Sequence, residues 1–108
     1  MTGEKRDAGE LRELVIDALR MVFDPEIPVN IWELGLVYEV RVEPTGDVFV
    51  RMTLTSPHCP EAEALPGRVR RAIESIPEAG TAEVELVWDP PWTPERMSEA
   101  ARLDLGMM

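Results

Sequence analysis

The segment "LGLVYEVRVEPTGDVFVRMTLT", Leu34 to Thr55, decides the fold. From Leu34 to Glu43, Leu36, Tyr38, Val40 and Val42 alternate with Val37, Glu39, Arg41 and Glu43. From Asp47 to Thr55, Val48, Val50, Met52 and Leu54 alternate with Phe49, Arg51, Thr53 and Thr55. The turn-rich Pro44–Gly46 joins the two runs, so they read as an antiparallel hairpin. Each strand has one apolar face, so helices should cover the sheet on one side.

Upstream, Leu11, Leu14, Val15, Ala18, Leu19 and Val22 recur at helical spacing, predicting a helix over Glu10–Phe23. Pro25 and Pro28 disfavour helical geometry at Asp24 and Ile27 and end it in a loop. Downstream, Ala62, Leu65, Val69, Ala72, Ile73 and Ile76 form one stripe of a second helix, about Pro60 to Ile76. Pro66 leaves two readings open: a kink in a helix that starts at Pro60, or a harmless first-turn position in one that starts later. "PEAG" at Pro77–Gly80 ends this helix. Thr81–Trp88 alternates again and predicts a third strand. Thr93 as N-cap and Pro94 as first helical residue predict a last short helix to about Leu105, stopped by Gly106. The order helix, strand, strand, helix, strand, helix is an α+β domain, with helices on one face of a three-stranded sheet. Residues 1–9 are expected to be a flexible tail and 10–108 a single domain.

A chain of 108 residues at 44% hydrophobic and 30% charged has an ordinary globular composition. A domain of that size hides roughly 65% of the surface its unfolded chain exposes, enough for one modest core. No apolar run approaches the roughly 20 residues of a membrane span. The first ten residues lack the apolar stretch of a signal peptide. With a single cysteine, these features lead us to expect a cytoplasmic protein. The net charge of −10 argues against nucleic acid and against anionic lipid, since both recruit basic surfaces. It leaves a metal, a basic partner or plain solubility.

The only cysteine, Cys59, and the only histidine, His58, stand together in "TSPHCP". Cys59 falls between a strand end and a helix start, where unpaired N–H groups and the helix dipole favour thiolate. Pro60 offers no N–H, and Glu61 and Glu63 oppose the effect. The alternative is a buried, inert thiol. Neighbouring side chains of an extended loop point apart, so His58 makes a poor dyad partner and reads as a solvent-facing loop residue. Thr55 ends the strand four residues earlier and can orient the loop or a ligand. Asp24 and Glu26 flank Pro25 just after a helix, where the dipole disfavours acids, which marks them as candidates beside the plainer reading of a solvated turn. Asn30, at the far end of that loop, and His58 are secondary candidates. One thiol with two carboxylates falls short of a closed zinc site. Trp88 and Trp92 read as a pin for the last helix over the sheet edge, or, at Trp92, as a partner-docking patch. With one histidine beside the one thiol, a conventional catalytic triad is not expected.

Three blocks carry a resemblance: "DPEIPVNIWELGLVYEV" (Asp24–Val40), "MTLTSPHCP" (Met52–Pro60) and "VWDPPWTPERMSEAARLDLGM" (Val87–Met107). Together they resemble the SufT-like family of iron–sulfur assembly proteins, related to the cytosolic iron–sulfur targeting factor and to the phenylacetate-degradation D component. The resemblance implies a fold similar to the C-terminal domain of NifU-type scaffolds. It implies a non-catalytic factor that assists iron–sulfur cluster assembly or transfer to apo-proteins. The family's motif residues map onto Asp24, Glu26, Thr55 and Cys59, whereas His58 stands where a small residue, often glycine, is expected. The implied mechanism makes Cys59 a transient thiolate contact to a cluster whose other ligands come from elsewhere. Asp24, Glu26 and Thr55 then shape the pocket. No tightly bound cofactor is implied, only a cluster in transit. Implied partners are iron–sulfur assembly proteins and apo-protein clients, with a homodimer as a further arrangement. Three alternatives stay open: an accessory subunit of a phenylacetate-type oxygenase system, a thiol enzyme with Cys59 as nucleophile, and an interaction module that docks through Trp92.

Overall fold

The computed structural model describes residues 8–24, 27–55 and 64–106. Helix α1 spans Ala8–Leu19 and a single turn of helix, α2, spans Ile31–Leu34. Strands β1 (Val37–Val42) and β2 (Val48–Met52) form the hairpin, followed by α3 (Leu65–Glu74) and β3 (Ala82–Leu86). A 3-10 turn at Pro94–Arg96 and helix α4 (Glu99–Asp104) close the described chain. The sheet order is β1-β2-β3, with β1–β2 antiparallel and β2–β3 parallel across α3. The α+β expectation holds.

The stripes read from the sequence meet in one core. Leu11, Val15 and Leu19 of α1 and Leu65, Val69 and Ile73 of α3 pack with Val48, Val50 and Met52 of β2. The opposite face of the sheet is ionic. Arg51 reaches Glu85 at 3.2 Å and Glu39 at 3.3 Å, and Arg41 reaches Glu43 at 3.4 Å. Arg41 lies over the Phe49 ring, 4.7 Å from its centroid. The helices therefore cover one face, as the alternation requires.

Several boundaries, and the facing of one residue, differ from the sequence reading for local reasons. Helix α1 ends at Leu19, not Phe23, because Phe23 instead pairs antiparallel with Asn30. Ile31 N–H donates to Val22 O at 2.9 Å across the same closure. Leu34 is not strand but the end of α2, which Asn30 caps at its start and Gly35 terminates with φ +80°. Tyr38 does not join the apolar face of β1. Val37 pairs with Met52 and Glu39 with Arg51, so Tyr38 is the extra residue of a β-bulge. Its hydroxyl donates to Pro90 O at 2.7 Å, and Arg96 lies over its ring. Strand β2 stops at Met52, and both Thr53 and Leu54 are buried, which ends the alternation.

At α3, regular helix begins at Leu65 with Pro66 in its first turn, where a missing N–H costs nothing. Within the described residues Pro66 takes the first-turn position of the later-start reading, and residues 60–63 lie outside them. Thr93 and Pro94 open the 3-10 turn as placed, but Thr93 makes no side-chain cap; Ser98 caps α4, its Oγ accepting from Ala101 N–H at 3.1 Å. Helix α1 already includes Ala8 and Gly9, two residues inside the expected tail.

Gly35 admits no side chain. Its φ is left-handed, and an added Cβ would overlap the backbone carbonyl of Arg96. Gly35→Ala is expected to lower stability by about 2–4 kcal/mol, from αL strand-breaking geometry plus the clash, in urea unfolding. Gly106, at φ +72° in open space, serves as the control. Its Ala variant should cost only the roughly 1–2 kcal/mol of the αL conformation.

Two carboxylates tie β3 to its surroundings. Asp47 Oδ1 accepts Thr81 N–H at 3.0 Å and the Thr81 hydroxyl at 3.2 Å, and Oδ2 accepts the Thr45 hydroxyl at 3.1 Å. Glu74 Oε2 accepts Ala82 N–H at 2.9 Å. The Thr81 N–H first, then the two hydroxyls, hold Asp47 below its ordinary value; the Ala82 N–H does the same for Glu74. Each folded value lies below the unfolded one. Their contribution is therefore present above the ordinary carboxylate range and lost as pH falls through the folded values. Thermal stability should therefore fall with acid from about pH 4 downward. Asp47→Asn with Glu74→Gln should flatten that slope.

Candidate functional site

Asp24 is built into its own turn. It is buried; its Oδ1 accepts Ile27 N–H at 2.9 Å and its N–H donates to Val29 O at 3.2 Å. The carboxylate thus bridges the residues that the prolines hold out of helix. Asn30 has an equally local duty, its Oδ1 capping α2 by accepting Glu33 N–H at 2.9 Å. Pro25, Glu26 and the segment 56–63, with His58 and Cys59, lie outside the described residues.

Thr55 is visible, and its surroundings are unusual. The chain leaving β2 forms one wall of a cleft of about 320 Å³ with Thr53, Leu54 and Thr55. Trp88, Pro91 and Trp92 form the other. Most of this lining is carbon, yet Thr53 Oγ1 and Thr55 Oγ1 are both sealed from solvent without a hydrogen-bond partner among the described residues. A buried hydroxyl without a partner costs about 1–3 kcal/mol, so two at one cleft call for an explanation. Thr53 was not singled out from the sequence, because strict alternation puts it on the solvent face. The signal available was the repeated threonine in "TLT" at a strand end.

Trp92 is anchored: its indole N–H donates to Leu34 O at 2.7 Å, the last carbonyl of α2. The pin expected to hold the last helix over the sheet edge is instead a tie from Trp92 to the end of α2, and Trp92 also lines the cleft. Trp88 remains 47% exposed at the rim, and offers more free aromatic surface than Trp92. The elements are connected in sequence of contact. The Asp24 turn leads into α2, α2 receives Trp92, and Trp92 faces Thr55 across the cleft. Among the described residues no group of three His, Cys, Asp or Glu side chains could hold a metal ion.

Comparison with known proteins adds a family. One described as "Iron-sulfur cluster assembly protein" matches residues 12–86. The match includes the threonine wall of the cleft and stops before Trp88. A Porphyromonas gingivalis "Fe-S protein maturation auxiliary factor" is 42% identical over 92% of this chain and 94% of its own length. A Staphylococcus aureus "Fe-S protein maturation auxiliary factor SufT" is 45% identical over 81% of this chain and 99% of its own. The crystal structure of a Bacillus anthracis domain of unknown function superposes with a TM-score of 0.86 at 36% identity, covering 94% of this chain and 96% of that one.

The orphaned hydroxyls can be tested through stability. Thr53→Val keeps the shape and removes a buried polar atom that has no partner. We expect it to be neutral or to stabilise by about 1–2 kcal/mol in thermal unfolding. A loss of more than about 1 kcal/mol would mean that Thr53 Oγ1 is satisfied in solution.

Proposed function

The chain belongs to the family of iron–sulfur cluster assembly proteins, and on that footing we propose that it is a non-catalytic maturation factor. It assists assembly of iron–sulfur clusters or their transfer to apo-proteins. The observation that supports an address for this role is the cleft whose two threonine hydroxyls have no partner among the described residues. It lies where β2 gives way to the segment carrying Cys59.

The cluster is cargo. A single thiolate holds one corner of it, and the remaining ligands come from the donor, the client or a second chain. Such incomplete ligation suits transfer, because a cluster held by one residue of the carrier leaves without dismantling a closed site. In this reading Cys59 supplies the transient contact. The Thr55 hydroxyl donates to a sulfur at the cleft, which both satisfies the hydroxyl and disperses charge on the sulfur. Asp24 acts through its turn: its carboxylate holds the Ile27 N–H and so sets the path of the loop carrying Glu26. Glu26 shapes the pocket from that loop, and His58 and Asn30 stay secondary, Asn30 as the cap of α2.

The partners in this reading are iron–sulfur assembly proteins and their apo-protein clients, met in the cytoplasm. No described helix is long and apolar enough to cross a membrane.

The test is complementation of a deletion strain, read as the activities of iron–sulfur enzymes. Wild type should restore them, Cys59→Ser should not, and Thr55→Val should restore them in part while leaving the fold intact. Equal rescue by wild type and Cys59→Ser would remove the thiol from the mechanism. Anaerobic affinity capture, with iron and sulfide assayed on the captured protein, should show cluster components with wild type and none with Cys59→Ser.

A further inference from the structure

A sheet of three strands has two edges, and β3 forms one of them. Its pairing with β2 fixes which peptide groups are left over. Val48 N–H donates to Thr81 O at 2.9 Å, and Val87 N–H donates to Met52 O at 2.8 Å. Peptide groups along a strand alternate between its two edges. Thr81, Glu83, Glu85 and Val87 therefore face β2, and Ala82, Val84 and Leu86 face away. The bond from Ala82 N–H to Glu74 agrees with that parity, because it leaves on the outer side. Among the described residues, nothing pairs with the outward N–H and C=O of Val84 and Leu86.

Beside this edge runs a groove of about 410 Å³, lined by Pro66, Gly67 and Arg70 of α3 and by Ala82, Glu83 and Val84 of β3. Gly67 contributes no side chain, so the groove is open towards the free peptide groups. The usual guards of an exposed edge are missing: "AEVEL" contains no lysine, no proline and no bulge. Glu83 and Glu85 stand on its solvent face instead, both exposed, with Glu85 already in contact with Arg51 at 3.2 Å through one oxygen.

Those glutamates discriminate between occupants. Two copies of β3 pairing antiparallel about Val84 would set each Glu83 opposite a Glu85. Like charges directly opposite destabilise a strand pair, and each copy carries a net charge of −10. A strand with cations at alternate positions meets the same two carboxylates favourably. We propose that β3 is a docking edge for an extended, lysine- or arginine-bearing segment of another protein. The segment joins the sheet as a fourth strand, its cations against Glu83 and Glu85 and its intervening uncharged residues over the groove beside α3. Backbone bonds at Val84 and Leu86 provide affinity and the two glutamates provide selectivity.

The experiment is an NMR titration of the ¹⁵N-labelled full chain with a capped synthetic peptide of about seven residues alternating lysine with threonine. The Val84 and Leu86 amides should shift and exchange more slowly with solvent. Binding should weaken as salt is raised. A peptide with glutamate in place of lysine should not bind. Val84→Pro leaves the ladder with β2 intact, because that N–H faces away from it, and should weaken binding by about tenfold or more. Glu83→Lys combined with Glu85→Lys should transfer the preference to the glutamate peptide, and this variant decides the question if Val84→Pro does not fold. Shifts that spare β3 and the start of α3 would overturn the proposal. So would equal binding of both peptides, a lysine preference that survives charge reversal, or self-association of the wild type through β3.

Discussion

The rest of the architecture hangs on the end of one four-residue helix. Helix α2 stops at Leu34 because Gly35 turns left-handed. That turn brings the chain against the backbone of Arg96 so closely that no Cβ fits between them. The Leu34 carbonyl left over at the helix end is then taken by the indole of Trp92. Two segments about sixty residues apart are thus joined at one peptide unit. On one side this fixes the path from the Asp24 turn into β1. On the other it sets the aromatic wall of the cleft. The last part of the chain is held further by Ser98 N–H donating to Glu33 O at 2.8 Å and by the burial of Met97.

The cleft itself is an imbalance kept in place by good packing around it. Native interiors rarely leave hydroxyls unpartnered, and polar atoms that break this rule cluster where a ligand supplies what the fold withholds. Thr53 and Thr55 satisfy every local demand of strand formation through shape alone, since a β-branched side chain suits a strand whether or not its oxygen is used. Their oxygens are then surplus to folding. Other polar groups have structural partners: Asp24 and Asn30 hold turns, Asp47 and Glu74 hold β3, and the arginines of the outer face sit among glutamates.

Much of this was legible in the sequence because period and punctuation are local properties. The stripes of α1 and α3, the hairpin and the third strand followed from spacing alone. What escaped depended on contacts distant in the chain. Alternation assigned Tyr38 to the core, but the bulge and the Pro90 carbonyl draw it outwards. Alternation assigned Thr53 to solvent, but the strand ends one residue earlier and its N–H turns to Leu36 O. Helix α2 was missed because four residues show no period, although Asn30 and Gly35 already marked its two ends. At the site, Asp24 and Thr55 were found as residue types in suspicious places. Their actual bonding could not be read, because a carboxylate that caps a turn and one that faces a ligand look identical in sequence.

The parallel pairing of β2 with β3 has a consequence for how the chain comes together in time. The β1–β2 hairpin closes over a turn of a few residues and can form within microseconds. The β2–β3 ladder must close a loop of roughly thirty residues, which includes α3, before its first bond forms. Non-local parallel pairing is the slow kind. The threonine wall of the cleft therefore belongs to the early hairpin and the tryptophan wall to the segment after β3, so the cleft exists only once the last strand is in place. A chain still emerging from the ribosome, or one stalled before β3 docks, has the threonine wall without the tryptophan wall. Completion of the fold is what first sets the two walls of the cleft against each other.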